Sequence, residues 1–322
     1  MKTETNPITL KIIIILFLSI SLVLSLQSCK SDKKQNKSED ASIVKDNIIN
    51  ILTENMDFQM ADTIPSGWNT FRYKNASPQT HFFLIDKYPE AITLDSVKAR
   101  VLPPFDNGMK LINEGKTEAG FAEFGKLPAW FMEMKNLGGS GLISPGLVAE
   151  TTVKLDPGYY IIECYVKMSN GVWHTSMGMA KEVIVSETNS GNVEPKADIE
   201  ITISSTDGIT FNDTISKGQH CFSVFYKDQI VHENFIGHDI NLAKLEENAN
   251  LDEINSWMDW SNPKGLIEPA PTGVTFLGGV NNMSEGQKGY FTVNLEPGRY
   301  ILISEVPNPA SKNMLKTFVV PE

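Results

Sequence analysis

Cysteine, histidine and positive charge are all scarce in this sequence of 322 residues. It contains three cysteines and five histidines, and its 39 acidic residues outnumber 28 basic ones, which gives a net charge of −11. An acidic chain lacks the clustered positive charge that binding to a phosphate backbone requires. We therefore expect no nucleic-acid partner.

Common catalytic motifs are also missing. The sequence contains no G-x-S-x-G, no P-loop and no H-E-x-x-H motif. Its acidic residues are spread along segments that are typical of solvated loops and helix faces. On this basis the sequence predicts that the chain is not an enzyme.

One long apolar run, IIIILFLSISLVLSL at residues 12–26, follows two lysines. It is shorter than the roughly 20 residues of a membrane-spanning helix and is typical of a secretory signal peptide. The run leads into the residues Leu26-Gln27-Ser28-Cys29, which resemble the bacterial lipobox, where the cysteine is lipidated and becomes the new N-terminus. The resemblance implies that residues 1–28 are a lipoprotein signal peptide and that Cys29 carries a lipid.

The segment behind Cys29 is strongly polar. Residues 30–40, KSDKKQNKSED, have almost no apolar surface to bury, so we expect residues 29–48 to be a flexible tether. A lipid on Cys29 would anchor the protein to a bacterial membrane. The expected location is the cell envelope, on the periplasmic face or at the cell surface.

The remainder of the chain contains an internal repeat. DTIPSG at residues 62–67 returns as DTISKG at 213–218, and LDPGYY at 155–160 returns as LEPGRY at 295–300. The offset between copies falls from 151 to 140 residues, which a deletion in the second copy explains. At the first offset His81 aligns with His232.

These repeats predict two tandem domains, at residues 49–187 and 197–322, joined by a polar linker at residues 188–196. Within each copy, apolar and polar residues alternate, which predicts half-buried strands of a β-sandwich. Residues 93–124 are predicted to form short helices, and residues 241–258 are predicted to take the same place in the second copy. The predicted fold class is therefore all-β, with a short helical insertion in each domain.

A histidine near the middle of the first copy and a cysteine, a histidine and a methionine near its end resemble the pattern of the cupredoxin family, of plastocyanin and azurin type. Four residues separate His174 from Met179, as in the loop of that family. The resemblance covers most of residues 50–187 and, more weakly, residues 197–322. It implies two tandem Greek-key β-sandwiches.

The resemblance also implies a mononuclear copper site in the first domain. Its ligands would be the imidazoles of His81 and His174, the thiolate of Cys164 and the weak axial thioether of Met179. Such a donor set holds copper in both oxidation states with little rearrangement and also suits Cu(I). The implied function is electron transfer or copper handling, with a redox or copper-exchange protein as partner, and at most the activity of an electron carrier.

The second copy departs from this pattern. Ser304 and Pro309 stand where the cysteine and the second histidine of the first copy stand, although Met314 is kept. We therefore expect no such site in the second domain. His220 and His238 are interpreted as solvated loop residues, because the spacing of the second copy's histidines does not support a three-histidine copper site.

Each ligand of the first copy also has a simpler interpretation, since a lone cysteine on the inward face of a strand is usually a small buried hydrophobe. The competing hypothesis is a metal-free envelope lipoprotein that uses its loops to bind a glycan or a protein. A disulfide between Cys164 and Cys221, or burial of Cys164 away from His81, would favour that hypothesis. Convergence of the Cys164 sulfur with His81, His174 and Met179 would favour copper.

Overall fold

The computed structural model describes residues 47–322. The expected signal peptide at residues 1–28, the lipidation site Cys29 and the tether up to residue 46 lie outside the described residues. No helix within residues 47–322 combines the length and the apolar character needed to cross a bilayer. The predictions about the N-terminal segment therefore stay predictions.

The first half of the described chain contains seven strands, four α-helices and a 3-10 helix at Ala129–Glu133. The strands are β1 (Ile48–Thr53), β2 (Thr63–Asn75), β3 (Leu84–Lys87), β4 (Lys135–Gly139), β5 (Val148–Leu155), β6 (Gly158–Glu163) and β7 (Ala180–Asn189). The α-helices are α1 (Leu94–Arg100), α2 (Leu102–Asn113), α3 (Thr117–Phe124) and the single turn α4 (His174–Met177). The predicted helices at residues 93–124 are confirmed by α1 to α3.

The second half contains eight strands and one α-helix, besides two short 3-10 helices at Glu233–Phe235 and Pro309–Lys312. The strands and the α-helix are β8 (Ile199–Ser204), β9 (Gly208–Thr210), β10 (Gly218–Tyr226), β11 (Ile240–Leu245), α5 (Leu251–Met258), β12 (Val274–Val280), β13 (Lys288–Leu295), β14 (Gly298–Ile303) and β15 (Leu315–Val320). The helix predicted over residues 241–258 is thus wrong for its first third, which forms β11. That segment, INLAKL, is buried on both faces, so it shows no period-two alternation that would have identified it as a strand.

Two sheets organise the molecule. The larger has 11 strands in the order β4-β3-β6-β7-β2-β5-β13-β10-β8-β9, with β1 on β2, and the smaller has the order β12-β11-β14-β15. The long strand β2 serves both layers of the first half, because its start pairs with β7 and its remainder pairs with β5. Gly67 lies at this transition with φ +88, where a Cβ would also lie 2.7 Å from the Asn189 side chain.

Alternating residues of β2 form part of the core. Phe71 and Tyr73 are fully buried, and both pack against Phe83, with ring centroids 5.3 and 5.6 Å from it. The same hydrophobic cluster continues through both halves of the chain. The prediction of an all-β fold with helical insertions is confirmed.

The two halves meet through matching positions. β5 pairs with β13, with Thr151 opposite Phe291. The N–H of Gly138 donates to the carbonyl of Asn282 at 2.8 Å, and the N–H of Gly278 donates to the carbonyl of Leu142 at 2.8 Å. A shift of 140 residues turns each of these bonds into the other, so the halves pack like the subunits of an isologous dimer.

Candidate metal centre

Three of the predicted ligands come from separate segments that backbone hydrogen bonds hold in place. His81 precedes β3 and exchanges both of its backbone hydrogen bonds with Ile143, at 3.2 and 2.7 Å. Cys164 is the first residue after β6, and His174 begins α4. These three positions lie on the same end of the first half.

The loop from Cys164 to Met179 is closed by its own backbone. The N–H of Cys164 donates to the carbonyl of Met179 at 3.1 Å, and the N–H of Met179 donates to the carbonyl of His174 at 3.0 Å. The Thr175 hydroxyl donates to the carbonyl of Cys164 at 2.8 Å. Gly178 allows the return of the chain, since its φ is +127 and a Cβ there would lie 2.7 Å from the Met56 carbonyl oxygen.

The side chains of His81, Cys164 and His174 converge. The Cys164 Sγ lies 3.8 Å from the Nδ1 atom of each histidine, and the two Nδ1 atoms lie 3.1 Å apart. All three residues are fully buried. Within residues 47–322, these three residues are the one group of three or more histidine, cysteine and acidic side chains whose potential ligand atoms all lie within 4.8 Å of one another.

Met179 is fully buried in the same hydrophobic cluster and is hydrogen-bonded through its backbone to both Cys164 and His174. Its assignment as an axial ligand stays a prediction. Cys164 and Cys221 are both free thiols, so the disulfide that would have favoured a metal-free protein is not formed.

Burial sets the protonation of the cluster. It lowers the pKa of His81 to about 3, with an additional contribution from the nearby His174, and it lowers the pKa of His174 to about 4. Burial raises the pKa of the Cys164 thiol to about 12. At neutral pH the metal-free cluster therefore holds two neutral imidazoles and a protonated thiol.

The donor atoms fit one metal ion. Bonds of about 2.0–2.1 Å to nitrogen and about 2.3 Å to sulfur place ligand atoms roughly 3–4 Å apart, and the three distances in this cluster are 3.1, 3.8 and 3.8 Å. Two imidazoles and a thiolate, with a thioether nearby in the chain, are the ligands of blue-copper centres. The prediction of copper as the cofactor is confirmed by this donor set.

Aromatic side chains pack together next to His174 in the chain. Trp173, next to His174, packs against Phe105 of α2 and Trp260 of the second half, with ring centroids 5.8 and 5.7 Å away. These rings line a cavity of about 90 Å³. Glu163 and Tyr165, the sequence neighbours of Cys164, also line this cavity. The sequence did not predict these aromatic contacts, because they form only where the two halves and the helical insertion meet.

The second half has a polar network in the corresponding place. The N–H of Ser304 donates to the carbonyl of Met314 at 3.0 Å, as Cys164 does to Met179 in the first half. Asp239 accepts from the Ser304 hydroxyl at 2.5 Å and from the N–H of Glu305 at 2.7 Å. The Glu305 carboxylate accepts from the Tyr165 hydroxyl at 2.9 Å, so this network reaches the residue beside Cys164.

The alignment of His81 with His232 is wrong. Leu84 lies opposite Gly139 and Asn241 lies opposite Gly279, so β3 corresponds to β11 at an offset of 157 residues. The counterpart of His81 is therefore His238. The interpretation of His238 as solvated is also wrong, because this residue is fully buried.

His220 was likewise expected in a solvated loop. It lies instead on β10, and its ring is hydrogen-bonded to the Asp198 carboxylate. It is therefore held on the strand and does not join the other two histidines of the second half.

Comparison with known proteins gives no match to a family model, and no curated protein matches the sequence. Solved structures do match. Reduced auracyanin from Roseiflexus castenholzii is 24% identical, covers 42% of this chain and 94% of its own, and has a TM-score of 0.26. Auracyanin A, a blue copper protein from Chloroflexus aurantiacus, is 21% identical, with coverages of 43% and 98% and a TM-score of 0.27.

Multicopper oxidases match over more of the chain. The blue copper oxidase from Nitrosomonas europaea is 13% identical, covers 84% of this chain and 84% of its own, and has a TM-score of 0.23. The prediction that the chain is not an enzyme is contradicted, because solved structures of oxidases match over 84% of this chain. The chain's own strands and sheets show that its fold is all-β.

Proposed function

We propose that this chain is an envelope lipoprotein, anchored through Cys29, whose first half binds one copper ion for electron transfer. The convergence of His81, Cys164 and His174, at 3.1 and 3.8 Å, carries the proposal. Copper in such a site supplies a one-electron couple. The two imidazoles and the thiolate bind it, and Met179 is assigned as the weak axial ligand.

The chain's own residues keep the site rigid and dry. The backbone bonds of His81 with Ile143 and of Cys164 with Met179 fix the ligands before metal binds. Such preorganisation reduces the rearrangement between oxidation states. All three converging side chains are fully buried, and exclusion of water modifies the redox potential of a metal site.

Burial favours electron transfer over copper delivery. All three converging ligands are 0% exposed, so a bound ion cannot pass to a second protein until surrounding residues, such as the loop from Cys164 to Met179, move. An electron needs no such opening. A redox protein, rather than a copper acceptor, is accordingly the partner that we propose.

Retention of copper against a chelator tests this choice. The protein is loaded with one equivalent of copper, and loss of the ion to excess chelator is followed over time, with Cys221→Ser as a matched control because Cys221 lies on β10 of the second half. Electron transfer predicts slow loss together with a reversible one-electron wave in voltammetry. Rapid loss without such a wave would assign the site to copper handling.

The lipid anchor has a separate test. Mass spectrometry of the mature N-terminal peptide should show a lipid on Cys29, and Cys29→Ala should release the protein from membranes. Recovery of the unmodified protein in the soluble fraction from both forms would contradict the anchor but would leave the copper proposal standing.

A further inference from the structure

A cavity of about 90 Å³ lies where strands β3 and β6, the helical insertion and the second half meet. Leu84 of β3 and Glu163 of β6 line it from the sheet. Phe105 of α2 lines it from the insertion, and Phe235 and Trp260 line it from the second half. The cavity is thus formed by segments that are far apart in the sequence.

Aromatic residues make up much of the lining. Seven of the 17 lining residues are aromatic. The Phe105 ring lies among three others, with centroids 5.8 Å from Trp173, 6.3 Å from Phe235 and 6.5 Å from Trp260. The faces of aromatic rings carry a negative electrostatic potential and attract cations. Nζ of Lys167 already lies 4.8 Å from the centre of the Trp173 ring, whereas the other three rings have no lysine or arginine over them within residues 47–322.

The charge on the lining has one sign. Among the described residues that line the cavity, Glu163 is the one carboxylic acid, and none is a lysine, an arginine or a histidine. Asp86 of β3 is fully buried, and its carboxyl group hydrogen-bonds to that of Glu163. Such a bond needs a proton between the two groups, so the pair carries at most one negative charge.

This charge has no partner in the chain. Neither Asp86 nor Glu163 forms an ion pair with a lysine or an arginine of the residues that the structure describes. A charge held away from water is stabilised by a charge of opposite sign. A cation in the cavity would therefore complement both the carboxyl pair and the aromatic faces.

The volume limits the ligand to a small group. An apolar protein cavity of about 150 Å³ takes up one benzene molecule. On the same scale a cavity of about 90 Å³ holds roughly four or five non-hydrogen atoms. A trimethylammonium head, with one nitrogen and three methyl carbons, is of this size. Phe105, Phe235 and Trp260 are only partly buried, so the remainder of such a molecule can extend towards solvent.

Hydrogen bonds fix part of the lining before a ligand binds. The Asn282 amide donates to Asn136 at 2.9 Å, and the Asn136 amide donates to Asp86 at 2.6 Å. The amide oxygen of Asn136 is thereby occupied, which leaves fewer acceptors for the three N–H donors of a primary ammonium. A quaternary ammonium has no N–H group and needs no acceptor. The lining therefore favours the methylated form of a cation.

We propose that this cavity binds the head of a small quaternary ammonium compound. Phe105, Phe235 and Trp260 contact its methyl groups, and Glu163, with Asp86 behind it, supplies the opposite charge. Aromatic rings recognise quaternary ammonium ligands through cation–π interactions. The proposal goes beyond electron transfer and does not depend on copper, because none of these five residues is one of the copper ligands.

The test uses choline as the probe and two small molecules as controls. One control is 3,3-dimethyl-1-butanol, which has the shape of choline with a neutral carbon in place of the nitrogen. The other is ethanolamine, which carries a primary ammonium. Titration calorimetry of the purified full chain without copper should show that choline binds at least about tenfold more tightly than either control. Quenching of tryptophan fluorescence is a second readout, because Trp173 and Trp260 line the cavity.

Variants locate the binding. Glu163→Gln keeps the shape of the side chain and removes its charge, so choline should bind about tenfold or more weakly while the neutral alcohol binds as before. Trp260→Leu, which removes a partly exposed ring, should weaken choline binding by a similar factor. Glu200→Gln on β8 and Trp68→Leu on β2 are the matched controls and should bind choline as the wild type does, because neither residue lines the cavity. Thermal unfolding shows that each variant is folded.

Three results would overturn the proposal. Equal affinity for choline and either control would mean that the cavity does not select a quaternary ammonium. Unchanged choline affinity in Trp260→Leu would place the binding elsewhere, and this variant decides if Glu163→Gln does not fold. The third is the absence of both heat and quenching with choline up to about 10 mM. Failure of copper binding would contradict the copper site alone and leave this proposal intact.

Discussion

The Nδ1 atoms of His81 and His174 lie 3.1 Å apart, although 93 residues of chain separate them. Two neutral imidazoles at this distance can share one proton between their Nδ1 atoms, or leave two lone pairs facing each other. Neither Nε2 atom is bonded to another of the described residues. A metal ion that accepts both lone pairs removes this conflict, which is why the pair is better explained as ligands than as core histidines.

Copper binding should release one proton. The thiol pKa of about 12 and the imidazole pKa values of about 3 and 4 mean that only Cys164 carries a proton to displace between pH 6 and 8. The apparent affinity should therefore rise about tenfold per pH unit in this range. Titration calorimetry in buffers of different ionisation enthalpy measures the proton count, and Cys164→Ser should release none.

Met179→Leu should keep the thiolate band and raise the reduction potential. Leucine preserves the buried volume at a cost of about 1.5 kcal/mol or less, and loss of the axial thioether favours the lower coordination of Cu(I). Met314→Leu, at the matching position of the second half, is the control and should change neither. An unchanged potential in Met179→Leu would remove Met179 from the site.

Lys167 should make stability depend on pH above neutrality. The residue is 1% exposed, and burial lowers its pKa to about 7, against a smaller opposing effect of Glu305. Between pH 7 and about 10 the unfolded chain binds more protons at this lysine than the folded chain does. The free energy of unfolding therefore rises with pH, by at most about 1.4 kcal/mol per unit.

Lys167→Met should lack this rise and should be more stable than the wild type at pH 6, where the buried ammonium is charged. The difference between the two proteins in urea unfolding, measured from pH 6 to 10, isolates the lysine from other titrating groups. Lys227→Met, at a surface lysine, is the control. A constant difference across this range would contradict the assigned pKa.

Strand β2 could be predicted from the sequence because its central part buries one face. Phe71 and Tyr73 of β2 alternate with polar neighbours, and this pattern indicates which side chains face the core. β11 could not be predicted, because it is buried on both faces and its alternation disappears. The ligand residues of the first half were identified from a resemblance, and the structure was needed to show that His81 reaches Cys164.

Other parts of the site depend on insertions and on packing. His238, rather than His232, corresponds to His81 because the offset between the copies changes inside the loop before β11, where the sequence gives no anchor. The contact of Trp173 with Trp260 joins the two halves and has no local signal. The hydrogen bond from the Ser304 hydroxyl to Asp239 likewise has no signal in the local sequence.

Asp239→Ala should destabilise the fold without affecting copper. The substitution leaves the Ser304 hydroxyl, the Glu305 N–H and the Asn241 amide without their buried acceptor, at a cost of about 3 kcal/mol or more. Asp213→Ala, at an exposed position, should stay within about 0.5 kcal/mol of the wild type. Equal stability of the two variants in denaturant unfolding would contradict a structural role of the network.

The most direct test of the copper site is a Cu²⁺ titration of the purified chain, followed by visible absorption and electron paramagnetic resonance. The account predicts an intense thiolate-to-copper band that saturates at one equivalent, is lost in Cys164→Ser and is kept in Cys221→Ser. Absence of that band in the wild type, together with absence of Cu⁺ binding, would mean that His81, Cys164 and His174 are packed as core residues and that the function lies elsewhere.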